Sequence, residues 1–151
     1  MRGLAVNEDF SQLELKWQTM PGNKTRPSFD FLEFVVDGRS LRNLLGTTSR
    51  AGCLGWLLPK VNRRYAQELL LRKPSELRSN RYVLYVCAEC ADLGCGAVTV
   101  HLEKEQEAII WHSFYLEDGS RSQEATVYEG VGPFRFRRSD YVTALAGAVV
   151  G

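Results

Sequence analysis

Four runs rich in β-branched and aromatic residues follow one another in the second half of the chain: Tyr82 to Val86, Ala97 to Leu102, Ala108 to Tyr115 and Ala125 to Tyr128. The connections between them are short and carry glycine or charge. Connections of that kind do not hold a crossover, so successive runs must lie antiparallel beside one another. An antiparallel meander is the predicted result, and the rest of the chain has to pack against it.

The first half supplies two more strands. From Gln12 to Trp17, Leu13, Leu15 and Trp17 alternate with Glu14 and Lys16, the period of two of a half-buried strand. Phe29 to Val36 is aromatic and β-branched and stops at Asp37-Gly38, where a positive φ is tolerated. Ser40 is placed to cap a short helix through Leu41, Leu44 and Leu45, with Gly46 at the left-handed position after it. Between Asn62 and Arg72 the residues Tyr65, Leu69 and Leu70 recur near a 3.6 spacing, which predicts an amphipathic helix ending before Pro74. Thr47 to Pro59 reads as an irregular loop pinned to the core by Trp56. Phe134 and Phe136 make a last short strand, and Ser139 is placed to cap a closing helix from Asp140 to Ala146. The expectation is an α+β fold, an antiparallel sheet with two or three helices packed on it, in one domain over residues 1–151.

A chain of 151 residues buries roughly 68–70% of its unfolded surface, enough for a core without staples. At 44% hydrophobic and 25% charged residues it falls within globular usage and away from disorder. Nineteen basic against eighteen acidic residues leave a net charge of +1, so no global field favours nucleic acid or anionic lipid. Met1 to Phe10 has no apolar leader core, and no run approaches the ~20 apolar residues of a membrane span. The reading is a cytoplasmic protein with no membrane association. In that compartment its four cysteines are thiols, metal ligands or core residues rather than a disulfide framework.

Three of those cysteines, Cys87, Cys90 and Cys95, fall in the connection between two predicted strands. Close spacing at a turn is how zinc knuckles gather thiolates, and Gly94 and Gly96 permit a tight turn. A structural zinc site takes four ligands, and beyond these three the chain offers only Cys53, His101 and His112 at a distance in sequence. Buried or incidental thiols are therefore the default reading and a metal site the sharper one. The Cys87 to Cys90 spacing also suits a redox pair. That use is disfavoured by the lack of a following helix and by Glu89 and Asp92, whose charges would raise a thiol pKa. His112 could meet Cys95 across neighbouring strands as base and nucleophile, but no third orienting group stands out. An imidazole satisfied by one hydrogen bond is the plainer reading of both His112 and His101. No P-loop, dinucleotide fingerprint, nucleophile elbow or His-Glu-x-x-His motif is present. Arginines cluster at Arg63-Arg64, at Arg72 with Lys73, Arg78 and Arg81, and at Arg135, Arg137 and Arg138. Glu68, Glu76 and Asp140 interleave with them, so a mixed-charge surface is expected and nucleic-acid binding is not.

Several segments together resemble a group of uncharacterised bacterial proteins. Its members combine an early strand ending in Asp-Gly, a Cys-x-Cys-Gly-x-x-Gly-Cys-Gly stretch, a Val-x-Trp strand, and Gly-Pro-Phe-x-Phe before a Tyr-containing helix. The corresponding residues are Phe34 to Gly38, Cys90 to Gly96, Ile109-Ile110-Trp111, and Gly132 to Phe136 with Tyr141. Ala91 stands where the pattern has its first glycine, and Cys87 lies three residues before Cys90 where the pattern has a cysteine two before. The resemblance supports the fold and transfers no function.

With no acid, base and nucleophile constellation in view, the leading expectation is a non-enzymatic module that binds another protein. Toxin-neutralising immunity proteins of bacteria are one type of this size and build. Trp17, Trp56 and Tyr128 are its candidate anchors. The alternative is a zinc-binding or thiol-active protein centred on Cys87, Cys90 and Cys95.

Overall fold

The computed structural model describes residues 10–117 and 126–150. Among them nine strands and three α-helices alternate in the order β1 (Leu13–Met20), β2 (Phe29–Val36), β3 (Arg39–Ser40), α1 (Leu41–Leu45), β4 (Arg50–Gly52), α2 (Pro59–Leu69), β5 (Tyr82–Cys87), β6 (Ala97–Lys104), β7 (Ala108–Glu117), β8 (Thr126–Tyr128), β9 (Phe134–Arg137) and α3 (Arg138–Val150). A single 3₁₀ turn, Leu93–Cys95, lies between β5 and β6. The expected α+β class with antiparallel strands is what the chain adopts. The sequence reading of Met1 to Phe10 lies outside the described residues except for Phe10, as does Ala125 at the head of the fourth run.

The strands form two antiparallel sheets. One has the order β1-β2-β3, and in the other β4, β5, β6, β7 and β8 follow in sequence. β9 also pairs with β7, taking Ala108 to Trp111 while β8 takes Phe114 to Leu116. The two short strands therefore share one edge of β7, end to end. Leu32 of β2 donates its N–H to the Leu54 carbonyl at 2.9 Å and ties the sheets together. The approach there is so close that a Cβ on Gly52 would lie 2.5 Å from the Leu32 carbonyl oxygen, so only glycine fits.

The larger of two apolar clusters runs through both sheets, with Phe34, Tyr85, Trp111, Phe136, Tyr141 and Leu145 inside, and a smaller one gathers Met20, Phe31, Ala51 and Ala88. Trp111 is the hub of the larger. Its ring meets Phe34, Phe136 and Tyr141 edge-on at 5.6, 5.1 and 6.0 Å between centroids, a geometry favoured by the ring quadrupoles. The indole N–H donates to the Tyr141 hydroxyl at 3.2 Å, which itself donates to the Leu69 carbonyl at 2.6 Å. That chain satisfies the buried polar atoms and locks α3 onto the end of α2. On β2 the buried Glu33 accepts from the Tyr85 hydroxyl at 2.9 Å, the Ser40 hydroxyl at 2.5 Å and the Arg42 N–H at 2.9 Å.

Several boundaries differ from the sequence reading. The helix expected from Asn62 starts at Pro59, because proline suits the first helical position, and it ends at Leu69 with Leu71 left-handed at φ +61°. The segment expected to be wholly irregular contains β4. Trp56 does anchor its remainder, stacking on Phe29 at 4.2 Å and donating to the Gly52 carbonyl at 2.7 Å. Ser139 sits inside α3 rather than capping it: β9 runs straight into the helix, and the Arg138 N–H goes to the Glu107 carbonyl at 2.9 Å. Trp17, expected on the buried face of β1, is 64% exposed, while Leu13 and Met20 at the two ends of the same strand are buried. No helix among the described residues is long and apolar enough to cross a membrane.

Candidate metal centre

Cys87 is the last residue of β5, Cys90 closes the turn that follows, and Cys95 ends the 3₁₀ turn before β6. Backbone bonding folds the segment back on itself. Ala91 takes a left-handed φ of +59° and donates its N–H to the Cys87 carbonyl at 2.9 Å. The Asp92 carboxylate accepts from the Gly94 N–H at 2.9 Å, and its carbonyl from the Cys95 N–H at 3.0 Å. Gly96, at φ +101°, then turns the chain into β6, and its carbonyl accepts from the Arg50 guanidinium at 3.1 Å.

The result brings the three sulfur atoms to within 4.8 Å of one another, with Cys90 and Cys95 at 3.2 Å. A disulfide requires about 2.05 Å, and all of the cysteines are free thiols. A tetrahedral zinc with Zn–S bonds of about 2.3 Å separates its sulfurs by about 3.8 Å. The trio is therefore spaced for a shared cation after small side-chain adjustment. Cys90 and Cys95 are exposed and Cys87 is half-buried, so the open side of the trio faces solvent.

Electrostatics differentiate the thiols. Partial burial pushes Cys87 up, but the N–H groups of Glu89 and Cys90, with the Cys90 and Cys95 thiols, outweigh it and hold Cys87 below its ordinary value. N–H groups of the second and third residues after a cysteine aimed at its sulfur are the donors a turn can offer a thiolate. The Cys90 sulfur, by hydrogen bond and then by charge, pushes Cys95 up to about 11. A cation that neutralised the cluster would remove that repulsion and release protons as it bound. Glu89 and Asp92, whose charges were expected to raise a thiol pKa, set neither direction: Cys87 is lowered, and Cys95 is raised chiefly by Cys90. Glu89 is bound by the Thr25 hydroxyl and Asn23 amide at 2.8 Å and by Arg26 at 3.0 Å, while Asp92 serves Gly94. Bonds from Thr25 and Asn23 hold the Glu89 carboxyl below its usual range. They also brace the cysteine turn against the loop between β1 and β2.

The remaining candidates lie elsewhere. Cys53 is fully buried, its thiol donates to the Val83 carbonyl at 3.4 Å, and burial pushes its pKa far up, which makes it inert. His101 and His112 do not join Cys95. They face each other across β6 and β7 beside Glu103. Sequence reasoning missed that grouping, although the two histidines stand equidistant from the Gln106-Glu107 turn, which pairs them in any tight hairpin. Arg81, counted among the surface arginines in the sequence, is instead a buried guanidinium bonded to Thr99 at 2.9 Å and Glu117 at 3.2 Å and lying over the Tyr115 ring. Other arginines of the basic clusters are paired: Arg64 with Glu68 and Glu76, Arg135 with Glu105, Arg137 with Asp140. Of the expected aromatic anchors, Trp56 and Tyr128 pack against the core and only Trp17 stands exposed.

Compared with protein-family models, with curated proteins and with solved structures, the chain matches none of them.

Proposed function

We propose that this domain is a zinc-binding protein whose centre is the thiolate trio of Cys87, Cys90 and Cys95. The observation that carries the reading is the convergence of three free sulfurs within 4.8 Å on one exposed turn. Backbone N–H groups directed at Cys87 favour its thiolate, the form that binds metal. Three protein ligands leave the fourth tetrahedral position to a ligand from outside the turn, either water or a donor atom of a bound molecule. Soft sulfur donors select zinc over magnesium or calcium, which take oxygen.

Cobalt(II) substitution tests this directly. One equivalent per chain should give an intense near-ultraviolet thiolate-to-cobalt band and tetrahedral visible bands, and Cys90→Ser with Cys95→Ser should abolish both. Absence of the band in the unaltered protein would refute the reading.

A second reading, a module that binds another protein, is favoured by a different observation. Trp17 on edge strand β1 is 64% exposed and Leu58, ahead of α2, is 73% exposed. Exposed tryptophan is the residue type most enriched among binding hot spots. Trp17→Ala should then abolish retention of a partner captured with the unaltered protein while leaving its stability within about 0.5 kcal/mol.

A further inference from the structure

The solvent face of the β6–β7 ribbon carries a second group of ligands with different chemistry. The chain has two histidines, and both are in it. His101 and His112 are direct cross-strand partners, which places them on one face with ring centroids 4.6 Å apart. Glu103, two residues beyond His101, shares that face by the period of two, and Leu102 and Trp111 between them point into the core. One ligand atom from each of His101, Glu103 and His112 lies within 4.8 Å of the others, and His112 Nε2 is 2.7 Å from Glu103 Oε1.

The other nitrogen of His112 is held as well. Nδ1 lies 2.7 Å from the Ser113 hydroxyl oxygen. Ser113 reaches it because the ladder carries an extra residue on β7: Thr99 pairs with Tyr115 but His101 with His112, and Ser113 takes a φ of +60°. A bulge of this kind re-aims a side chain that regular alternation would send to the opposite face. With Nδ1 turned to Ser113, the Nε2 edge of the ring faces Glu103 and the gap toward His101, where a cation would take the place of the proton that Nε2 shares with Glu103. Metal-bound imidazoles are typically oriented in this way by a second hydrogen bond. Among the described residues the His101 ring makes no hydrogen bond, so its donor atoms are uncommitted.

We infer that His101, Glu103 and His112 bind a divalent first-row transition cation through two imidazole nitrogens and one carboxylate oxygen, with Ser113 as the positioning residue. Two histidines and a carboxylate on one face leave the remaining positions open to water and suit zinc, nickel, copper or iron rather than the oxygen-seeking alkaline-earth ions. Binding displaces to solvent the proton shared by Nε2 and Glu103. The inference is independent of the cysteine centre, whose donors are all sulfur. A plain His112–Glu103 ion pair is the competing account, and it requires nothing of His101.

Zinc titration of tag-free protein, followed by imidazole ¹H–¹⁵N NMR, separates the two, because each signal belongs to a known histidine. Both imidazoles should move together and saturate at one zinc per chain at this site. His101→Gln should abolish the shift of His112, and Glu103→Gln should weaken binding at least about tenfold. Ser113→Gly, which relieves the left-handed φ while removing the hydroxyl, should keep the fold and weaken binding about tenfold. Imidazole signals that stay still in excess zinc, a His112 response that survives His101→Gln, or unchanged affinity in Glu103→Gln would overturn the site; unchanged affinity in Ser113→Gly would overturn the role of Ser113. Thiolate-to-cobalt absorption reports on the cysteine centre alone, so failure of one site is read separately from failure of the other.

Discussion

Ala91 holds a φ of +59° in the middle of the cysteine turn. A left-handed alanine costs roughly 1–2 kcal/mol, from which the extra chain entropy of a glycine must be subtracted. Ala91→Gly should therefore stabilise the fold by up to about 1 kcal/mol in urea denaturation, without loss of metal. Glu68 carries a second residue-level consequence. Its side chain is 3% exposed, and one carboxyl oxygen has no partner. Burial, and then the charge of Glu76, push its pKa from 4.5 up to about 7, against the pull of Arg64. The folded state thus holds a proton that the unfolded state gives up, so the stability this group contributes is full below its unfolded value and lost as pH rises through about 7. Between about pH 5 and pH 8 the unaltered protein should lose on the order of 3 kcal/mol from this source. Glu68→Gln should flatten that part of the profile, as denaturant midpoints across the range would reveal.

At the scale of elements, the β6–β7 ribbon is held from the side by Arg81, which bonds Thr99 on β6 and both Ser113 and Glu117 on β7. Burial lowers the Arg81 pKa while Glu117 supports the charge. Glu117→Ala would leave that guanidinium buried without its counter-charge and should cost about 2–3 kcal/mol in thermal or urea unfolding. Strands with clean alternation or aromatic runs, such as Phe29 to Val36, were legible in the sequence, since their period and their Asp-Gly stop are local. β4 was not: three residues, Arg50 to Gly52, carry no periodicity and become a strand only because β5 offers them an edge. The cysteine trio was legible from spacing alone, but its acid-base character was not, because that depends on which way Glu89 and the backbone N–H groups point. The histidine pair was hidden by reading each strand separately instead of folding the hairpin about Gln106-Glu107.

Across the whole molecule, one aromatic core fastens two antiparallel sheets and α3 together, and the ligand groups are left on the surface of that rigid frame. The cysteine turn is fixed at one end by β5, at the other by Gly96 entering β6, and at its tip by Glu89 bound to Asn23, Thr25 and Arg26. Such bracing lowers the entropy lost when a cation draws the three thiols together. A cation bound by the trio, as proposed, would in turn stabilise the fold by mass action. The most direct test is the metal content of the tag-free protein, with its melting curve recorded before and after a chelator. About one zinc per chain, released with a drop in melting temperature and lost in the Cys90→Ser, Cys95→Ser variant, is the expected result. A folded protein that carries no zinc, takes up none when it is supplied, and melts identically with and without chelator would contradict the account.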